Sequence, residues 1–201
     1  MIRPALLLTI GLLLAPAAQG QPEKPFHKVV DAFLANAPMK VNYHYTLTSG
    51  DFRQDTTGTL VLIRPGVFPL ELWDKVYGSD GSSLYLHDRN THQTVIDSLR
   101  WTEVNLWVRL LHSKLPAGTV VTPGESSSEG TAHWELSHEE PWWFSVVAVD
   151  TTTWSVREIR LREEQGWEHL VQLDVPEPWN NSNPDSFTAL EDLSGTRLDL
   201  R

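Results

Sequence analysis

Histidines and carboxylates are the residues of this chain whose types could support chemistry. The sequence holds 8 histidines and 26 acidic residues. Imidazoles and carboxylates serve as general acids and bases, and both ligate zinc. His87, Asp88 and His92 fall around one predicted turn, where they could converge in a hydrolase acting on lipid or glycan. The simpler interpretation is that they are solvated polar side chains of a hairpin.

Motifs for a nucleophile or for a phosphate are absent from the sequence. No Gly-x-Ser-x-Gly occurs, so the sequence lacks the motif of the nucleophile elbow of serine hydrolases. The run Gly78-Ser79-Asp80-Gly81 lacks the spacing of a phosphate-binding loop. No two histidines have the His-x-x-x-His spacing of a helical zinc site. We therefore expect neither a metal nor another cofactor.

One cation stands out because apolar residues surround it. Arg64-Pro65-Gly66 joins two apolar runs, 60–63 and 67–72. Alternation along each run places large apolar side chains on one face of a strand, and it places the arginine with the first set. The residues on these faces are Leu60, Leu62, Arg64, Phe68, Leu70 and Leu72. A guanidinium does not titrate at working pH, so Arg64 is not a candidate general acid. The apolar faces belong either to a packed core or to the wall of a cavity.

The elements that must position these residues are mostly strands. Apolar residues at helical spacing over 26–34 predict an amphipathic helix that Pro38 ends. Over 41–47 the period changes to two, which predicts a half-buried strand with Tyr43 and Tyr45 on its apolar face. Further strands are predicted over 55–63, 67–73, 83–88 and 93–97, and Leu84 and Leu86 belong to the strand over 83–88.

The second half of the chain adds one helix and more strands. Helical spacing over 104–115 predicts a helix with Thr102 as its N-cap and Pro116 as its stop. A loop over 124–130 precedes strands over 132–137, 143–150, 156–162 and 168–175, and irregular structure is predicted after Pro176. So many strands must curl. We expect a mainly β, α+β fold, in which a curled antiparallel sheet forms an unclosed half-barrel with helices as a lid over a hydrophobic cavity.

Residues 1–20 have the layout of a secretory signal peptide. Arg3 precedes a short apolar run, and small residues follow at Ala18-Gln19-Gly20. The run is too short for a spanning helix, although an N-terminal membrane anchor is the alternative. Residues 21–201 then form a single domain. Because the chain has no cysteine, its core alone must hold it, which favours the periplasm over a disulfide-rich extracellular scaffold.

The charge of the chain limits its partners. The formal net charge is −10 at pH 7. An acidic protein is a poor ligand for nucleic acid and for anionic membrane surfaces. We therefore expect a monomer that binds no nucleic acid.

The stretch 58–68, followed by Ser79-Asp80-Gly81, Leu84-Tyr85 and Asp88, resembles the periplasmic outer-membrane lipoprotein carriers of the LolA-like family. Those proteins share a strand ending in Arg-Pro, a Phe soon after it, and a Ser-Asp-Gly turn before a strand with aromatic residues. Their helices and hairpins also follow the same order. This sequence departs from the family at Pro69, where a basic or polar residue is usual, and at its end, which lacks Phe-x-Phe-x-x-Pro.

The resemblance implies a carrier without enzymatic activity. Such a carrier shields acyl chains of lipoproteins in its cavity, receives them from an inner-membrane releasing complex and delivers them to an outer-membrane acceptor. It also implies that Arg64 faces the cavity and latches the lid by hydrogen bonds, and that Phe68 lies near the mouth. With the strand pattern, the expected lipid-binding residues are Tyr43, Tyr45, Leu60, Leu62, Arg64, Phe68, Leu70, Leu72, Leu84 and Leu86. A carrier or sensor of another lipid, or the hydrolase, are the alternatives.

Overall fold

The first element of the fold is a helix that follows the predicted signal peptide. The structure is a computed structural model that describes residues 26–125, 130–180 and 195–201, so the predicted signal peptide lies outside the described residues. Helix α1 spans Phe26–Leu34. Its positions Phe26, Val29, Val30 and Phe33 are buried, which confirms the predicted apolar face.

A meander of six strands follows α1. The strands are β1 (Met39–Ser49), β2 (Phe52–Leu62), β3 (Val67–Leu72), β4 (Lys75–Asp80), β5 (Ser83–Asp88) and β6 (Gln93–Ser98). Each strand pairs antiparallel with the next. The predicted strands are confirmed, but β4 was not predicted. Its sequence, KVYGSD, carries few large apolar residues, and it is a strand because β3 and β5 pair with it on both sides.

The second helix is shorter than predicted. A 3₁₀ turn at Trp101–Glu103 precedes helix α2, which spans Leu106–Leu111. The predicted N-cap Thr102 is wrong, because the side chain of Asn105 accepts the hydrogen bond from the Trp107 N–H at 3.3 Å. An amide side chain that satisfies a free N–H of the first turn fixes where a helix begins.

The remaining strands complete the sheet. They are β7 (Val120–Pro123), β8 (Thr131–Glu139), β9 (Trp142–Asp150), β10 (Ser155–Glu163), β11 (Glu168–Leu173), β12 (Glu177–Pro178) and β13 (Thr196–Asp199). The sequence did not predict β7, β12 or β13, whose residues are all exposed. An exposed strand has no apolar alternation, because neither of its faces is buried.

All described strands belong to one sheet that does not close. Its order is β13-β6-β5-β4-β3-β2-β1-β11-β10-β9-β8-β7, and β12 also pairs with β1. Strand β1 joins the two halves, since it pairs with β2 on one side and with β11 on the other. Among the described strands β7 and β13 are the two ends, and they do not pair with each other. The predicted fold class, a mainly β unclosed half-barrel, is confirmed.

Both helices pack on the same face of the sheet, which we call the inner face. The ring of Phe26 in α1 lies 6.3 Å from that of Trp134 in β8, and α1 also contacts β10. The ring of Trp107 in α2 lies 5.5 Å from that of Tyr43 in β1. The core therefore consists of the inner face and the two helices. Within the described residues, neither helix has the length and apolar character needed to cross a bilayer.

Candidate functional site

Most of the predicted lipid-binding residues lie together on the inner face. Strands β1, β2 and β3 alternate in register, with Leu60 opposite Leu70, so their apolar side chains point to the same side. The residues buried there in one cluster are Tyr43, Tyr45, Leu60, Leu62, Phe68, Leu70 and Leu72. Leu84 is half-buried against this cluster, whereas Leu86 is half-buried opposite Tyr77, outside the cluster.

Helix α2 covers this part of the inner face. Trp107, Val108, Leu110 and Leu111 are all buried, so the helix presents its apolar side to the sheet. The helix is only 6 residues long, and an isolated helix of that length is not stable in water. Packing against the inner face therefore holds α2 in place.

Arg64 is not where strand alternation predicted it. Strand β2 ends at Leu62, and the chain turns through Pro65 and Gly66, where Arg64 forms an isolated bridge with Val67. Alternation of side chains holds only within a continuous strand, so it does not extend to Arg64. The side chain is exposed and makes no hydrogen bond or ion pair with any residue that the structure describes. In this position it does not hold α2.

His112 makes the hydrogen bond that joins α2 to this turn. Its Nδ1 accepts from the backbone N–H of Gly66 at 3.3 Å. Its ring packs on Phe68 and on Trp101, with centroid distances of 5.2 and 5.4 Å. No sequence pattern singled out this residue, because one histidine at the end of an apolar helix fits ordinary core packing equally well.

The environment of His112 determines the protonation state and the tautomer of its ring. Burial, with a smaller contribution from Lys114, lowers the pKa of the imidazole to about 4, so the ring is neutral at neutral pH. Since Nδ1 accepts from Gly66, the single ring proton sits on Nε2. That Nε2–H is buried and has no partner among the described residues. A buried donor without a partner costs about 1–3 kcal/mol, so the observed position of α2 carries this cost.

The Ser-Asp-Gly motif serves the turn between β4 and β5. An Asp80 carboxylate oxygen accepts from the backbone N–H groups of Ser82 and Ser83 at 2.8 and 2.7 Å, and Tyr85 donates to the other oxygen at 2.7 Å. Gly81 adopts φ = 96°, which favours glycine. The motif is therefore explained by local structure.

The His87–His92 hairpin does not form the constellation that a hydrolase would need. His87 is buried, with Nδ1 3.0 Å from the Thr94 hydroxyl. Asp88 follows His87 in β5 and so points to the opposite face, where its carboxylate accepts from the backbone of Asn90 and Thr91 in the turn. Among the described residues, no three histidine or acidic side chains are grouped to hold a metal.

A cleft opens beside α2, and the sequence did not predict it. Its volume is about 720 Å³. Leu106 and Arg109 of α2 line one wall with Val104, while Trp142 and Trp143 line the other, next to the turn between β10 and β11. None of the predicted lipid-binding residues lines this cleft. It nevertheless adjoins them through α2, whose opposite side covers the inner face.

Comparison with known proteins finds similarity in fold and none in sequence. No protein-family profile and no curated protein matches the sequence. An uncharacterized conserved protein from Thermus thermophilus has a TM-score of 0.57 at 8% identity, over 86% of this chain and 98% of that one. At this identity the two chains share the fold alone.

Two further solved structures are less similar. A LolA superfamily protein from Nitrosomonas europaea has a TM-score of 0.43 at 8% identity, over 82% of this chain and 97% of its own. A domain described as outer-membrane lipoprotein-sorting, from Vibrio parahaemolyticus, has a TM-score of 0.42 at 7% identity, over 84% of this chain and 99% of its own. The solved structures similar to this chain thus include one whose description names the LolA superfamily.

Proposed function

We propose that the protein is a periplasmic carrier of acyl chains and that the inner face beneath α2 is its binding surface. The observation that carries the proposal is this apolar surface, which a helix of 6 residues covers. Such a helix can leave without disrupting the sheet, because the sheet is held by its own strand pairing. The wall that it uncovers consists of Tyr43, Tyr45, Leu60, Leu62, Phe68, Leu70 and Leu72, with Leu84 and Leu86 beside it.

The magnitudes favour reversible carriage. Burying a sixteen-carbon acyl chain contributes about 12 kcal/mol, at about 0.8 kcal/mol per methylene. A site that retained all of this energy would not release its cargo. Displacing α2 takes Trp107, Val108, Leu110 and Leu111 out of the core, at about 1.5–3 kcal/mol each. The two contributions are of similar size, so cargo and lid can exchange in either direction.

The cargo and the partners follow from the resemblance over 58–88. We propose that the cargo is the lipid moiety of lipoproteins, which the carrier receives from an inner-membrane releasing complex and hands to an outer-membrane acceptor. Arg64 lies exposed at the turn that His112 contacts, so it can donate to cargo oxygens or to lid carbonyls once α2 moves. The signal peptide predicted over 1–20 supports the periplasmic location.

Extraction of the purified protein tests the proposal. We expect gentle purification of the full chain from the periplasm, followed by solvent extraction and mass spectrometry, to yield acylated peptide or lipid. A synthetic diacylated peptide should bind with a stoichiometry near one and should be recovered intact. Recovery of deacylated peptide would instead favour the hydrolase, and an empty protein that binds no acylated peptide would contradict carriage.

A matched pair of variants locates the surface. Leu84→Gln places an amide on the inner face and should weaken peptide binding several-fold, because a polar group is then desolvated against the acyl chain. Val120→Gln changes a residue of β7 that is 58% exposed and should leave binding unchanged. Equal effects of the two variants would place the acyl chain elsewhere.

A further inference from the structure

Arg109 is a half-buried cation in the wall of the cleft, and most of its donors are free. Its Nε donates to the backbone carbonyl of Lys114 at 3.2 Å, which fixes the direction of the guanidinium. The Nη groups have no partner among the described residues, and Arg109 makes no ion pair with any of them. Burial lowers the pKa of this guanidinium. The side chain has thus lost water without gaining an anion.

Several other arginines of the described residues are paired. Arg53 binds Asp55 at 2.8 Å, Arg89 binds Glu71 at 2.6 Å, and Arg160 binds Glu158 at 2.6 Å. These pairs lie at the surface, where an arginine needs a partner least. The half-buried Arg109 would gain more from an oxygen partner than these surface arginines do, and the cleft provides the space for it.

We propose that Arg109 anchors the polar head of an acylated cargo in this cleft. The free Nη groups donate to ester, amide or phosphate oxygens, which suit the planar donor geometry of a guanidinium. Leu106, three residues earlier in α2, and Trp142 and Trp143 on the other wall supply apolar contacts for the start of the acyl chains. The inference rests on the proposed carriage of acyl chains and adds the site of the head group.

The charge of the cleft selects among head groups. Glu140, Glu163 and Glu164 line the same cleft as Arg109, so one cation faces three carboxylates. A head with a net negative charge is repelled by these carboxylates. A neutral head rich in carbonyl oxygens, or a zwitterionic head, can use Arg109 without that repulsion. The site therefore favours neutral or zwitterionic acylated molecules over anionic lipids.

Three probes with the same sixteen-carbon chain separate the contribution of the head from that of the chain. They are hexadecanol, palmitoyl lysophosphatidylethanolamine and palmitoyl lysophosphatidylglycerol, each added to the full-length protein below its solubility limit or its micellar concentration. We expect the zwitterionic probe to bind more tightly than the anionic one. Arg109→Gln should lower the affinity for the zwitterionic probe about tenfold or more, as expected for a lost hydrogen bond to a charged group. It should leave the affinity for hexadecanol unchanged. Arg197→Gln, on an exposed arginine of β13 that does not line the cleft, is the matched control.

A second variant tests the carboxylates. Glu140→Gln combined with Glu164→Gln changes two exposed residues of the lining and should raise the affinity for lysophosphatidylglycerol several-fold. An equal loss of affinity for hexadecanol and for lysophosphatidylethanolamine in Arg109→Gln would overturn the head-group role, because a general distortion of the site affects the binding of both probes. Unchanged binding of all three probes in Arg109→Gln would also overturn it while leaving acyl carriage standing. Failure of the wild-type protein to bind any probe would overturn the carrier function and the head-group site together.

Discussion

At the scale of one residue, His112 shows how α2, the proposed lid, is held on the sheet. The imidazole connects α2 to the turn at Gly66 through one neutral hydrogen bond, and it packs against two aromatic rings in tilted orientations. A neutral hydrogen bond contributes about 1 kcal/mol, and the unpartnered Nε2–H costs about 1–3 kcal/mol in the same position. The contact thus orients α2 without locking it, as the proposed role of α2 as a lid requires.

Two substitutions at this residue separate its hydrogen bond from its packing. His112→Phe keeps an aromatic ring but cannot accept from Gly66, so the Gly66 amide should exchange with solvent about fivefold faster, as expected for the loss of one neutral hydrogen bond. His112→Asn keeps an acceptor near the position of Nδ1 and should retain most of the protection. Amide hydrogen exchange of the segments 60–72 and 104–115 measures both, without any lipid. Unchanged exchange in His112→Phe would contradict the latch.

Acidification should loosen the lid in the wild-type protein. The pKa of His112 lies near 4 in the closed position and near 6.5 for a solvated imidazole, so the closed state binds fewer protons. The stabilisation is full above pH 6.5 and is lost as the pH falls toward 4, by at most about 1.4 kcal/mol per pH unit. The positive charge of Lys114 contributes to the lowered pKa of His112. The other charged residues of the neighbouring segments are Arg64, Arg100 and Glu71.

The measurement is the exchange of α2 at pH 7 and pH 5, corrected for the intrinsic rates. We expect a larger increase in the wild-type protein than in His112→Asn, which cannot titrate. Equal pH responses of the two proteins would assign the effect to other groups.

At the scale of elements, the packing of β1 against β2 and β3 requires a glycine. The Tyr43 side chain crosses Gly58 and donates to the Glu71 carbonyl of β3. A Cβ at position 58 would overlap both the Tyr43 ring and that carbonyl. The glycine at the start of the 58–68 motif is therefore required by close approach of a side chain, and its φ is not in the left-handed region.

Gly58→Ala should accordingly destabilise the protein. We expect a loss of about 1–3 kcal/mol in the free energy of unfolding, because overpacking forces Tyr43 or β3 to shift. Urea unfolding followed by tryptophan fluorescence measures this loss. Thr57→Ala, at an exposed neighbouring position of β2, is the control and should change stability by less than about 0.5 kcal/mol. Equal stabilities of the two variants would mean that the structure relaxes around position 58 without cost.

At the scale of the whole molecule, the acidic charge bears on how the proposed carrier would deliver its cargo. With a net charge of −10, the protein is repelled by anionic membrane surfaces. A carrier that does not adhere to membranes must exchange its cargo through partner proteins. The charge therefore agrees with a carrier that shuttles between a releasing complex and an acceptor.

Vesicle sedimentation tests this property. We expect the empty protein to remain in the supernatant with phosphatidylglycerol vesicles, even at about 10 mM salt, where the Debye length of about 30 Å leaves repulsion unscreened. The protein should sediment with vesicles that contain a cationic lipid, and this result controls for vesicle recovery. Co-sedimentation with the anionic vesicles would show that the protein reaches membranes without a partner.

The sequence by itself determined the local elements whose faces differ in polarity. Alternation over 41–47 and helical spacing over 26–34 predicted β1 and α1, because burial of one face leaves a period in the sequence. The same pattern found most of the inner-face residues. It missed β7 and β13, whose exposed residues carry no period, and β4, which pairing with its neighbours creates.

Only the tertiary structure decided which residues meet at the lid and at the cleft. The end of β2 at Leu62 removed Arg64 from the inner face, and packing of α2 brought His112 to Gly66, 46 positions away in the chain. The cleft with Arg109 lies between segments far apart in the sequence. Contacts of this kind depend on how distant elements pack, and no local period of the chain records them.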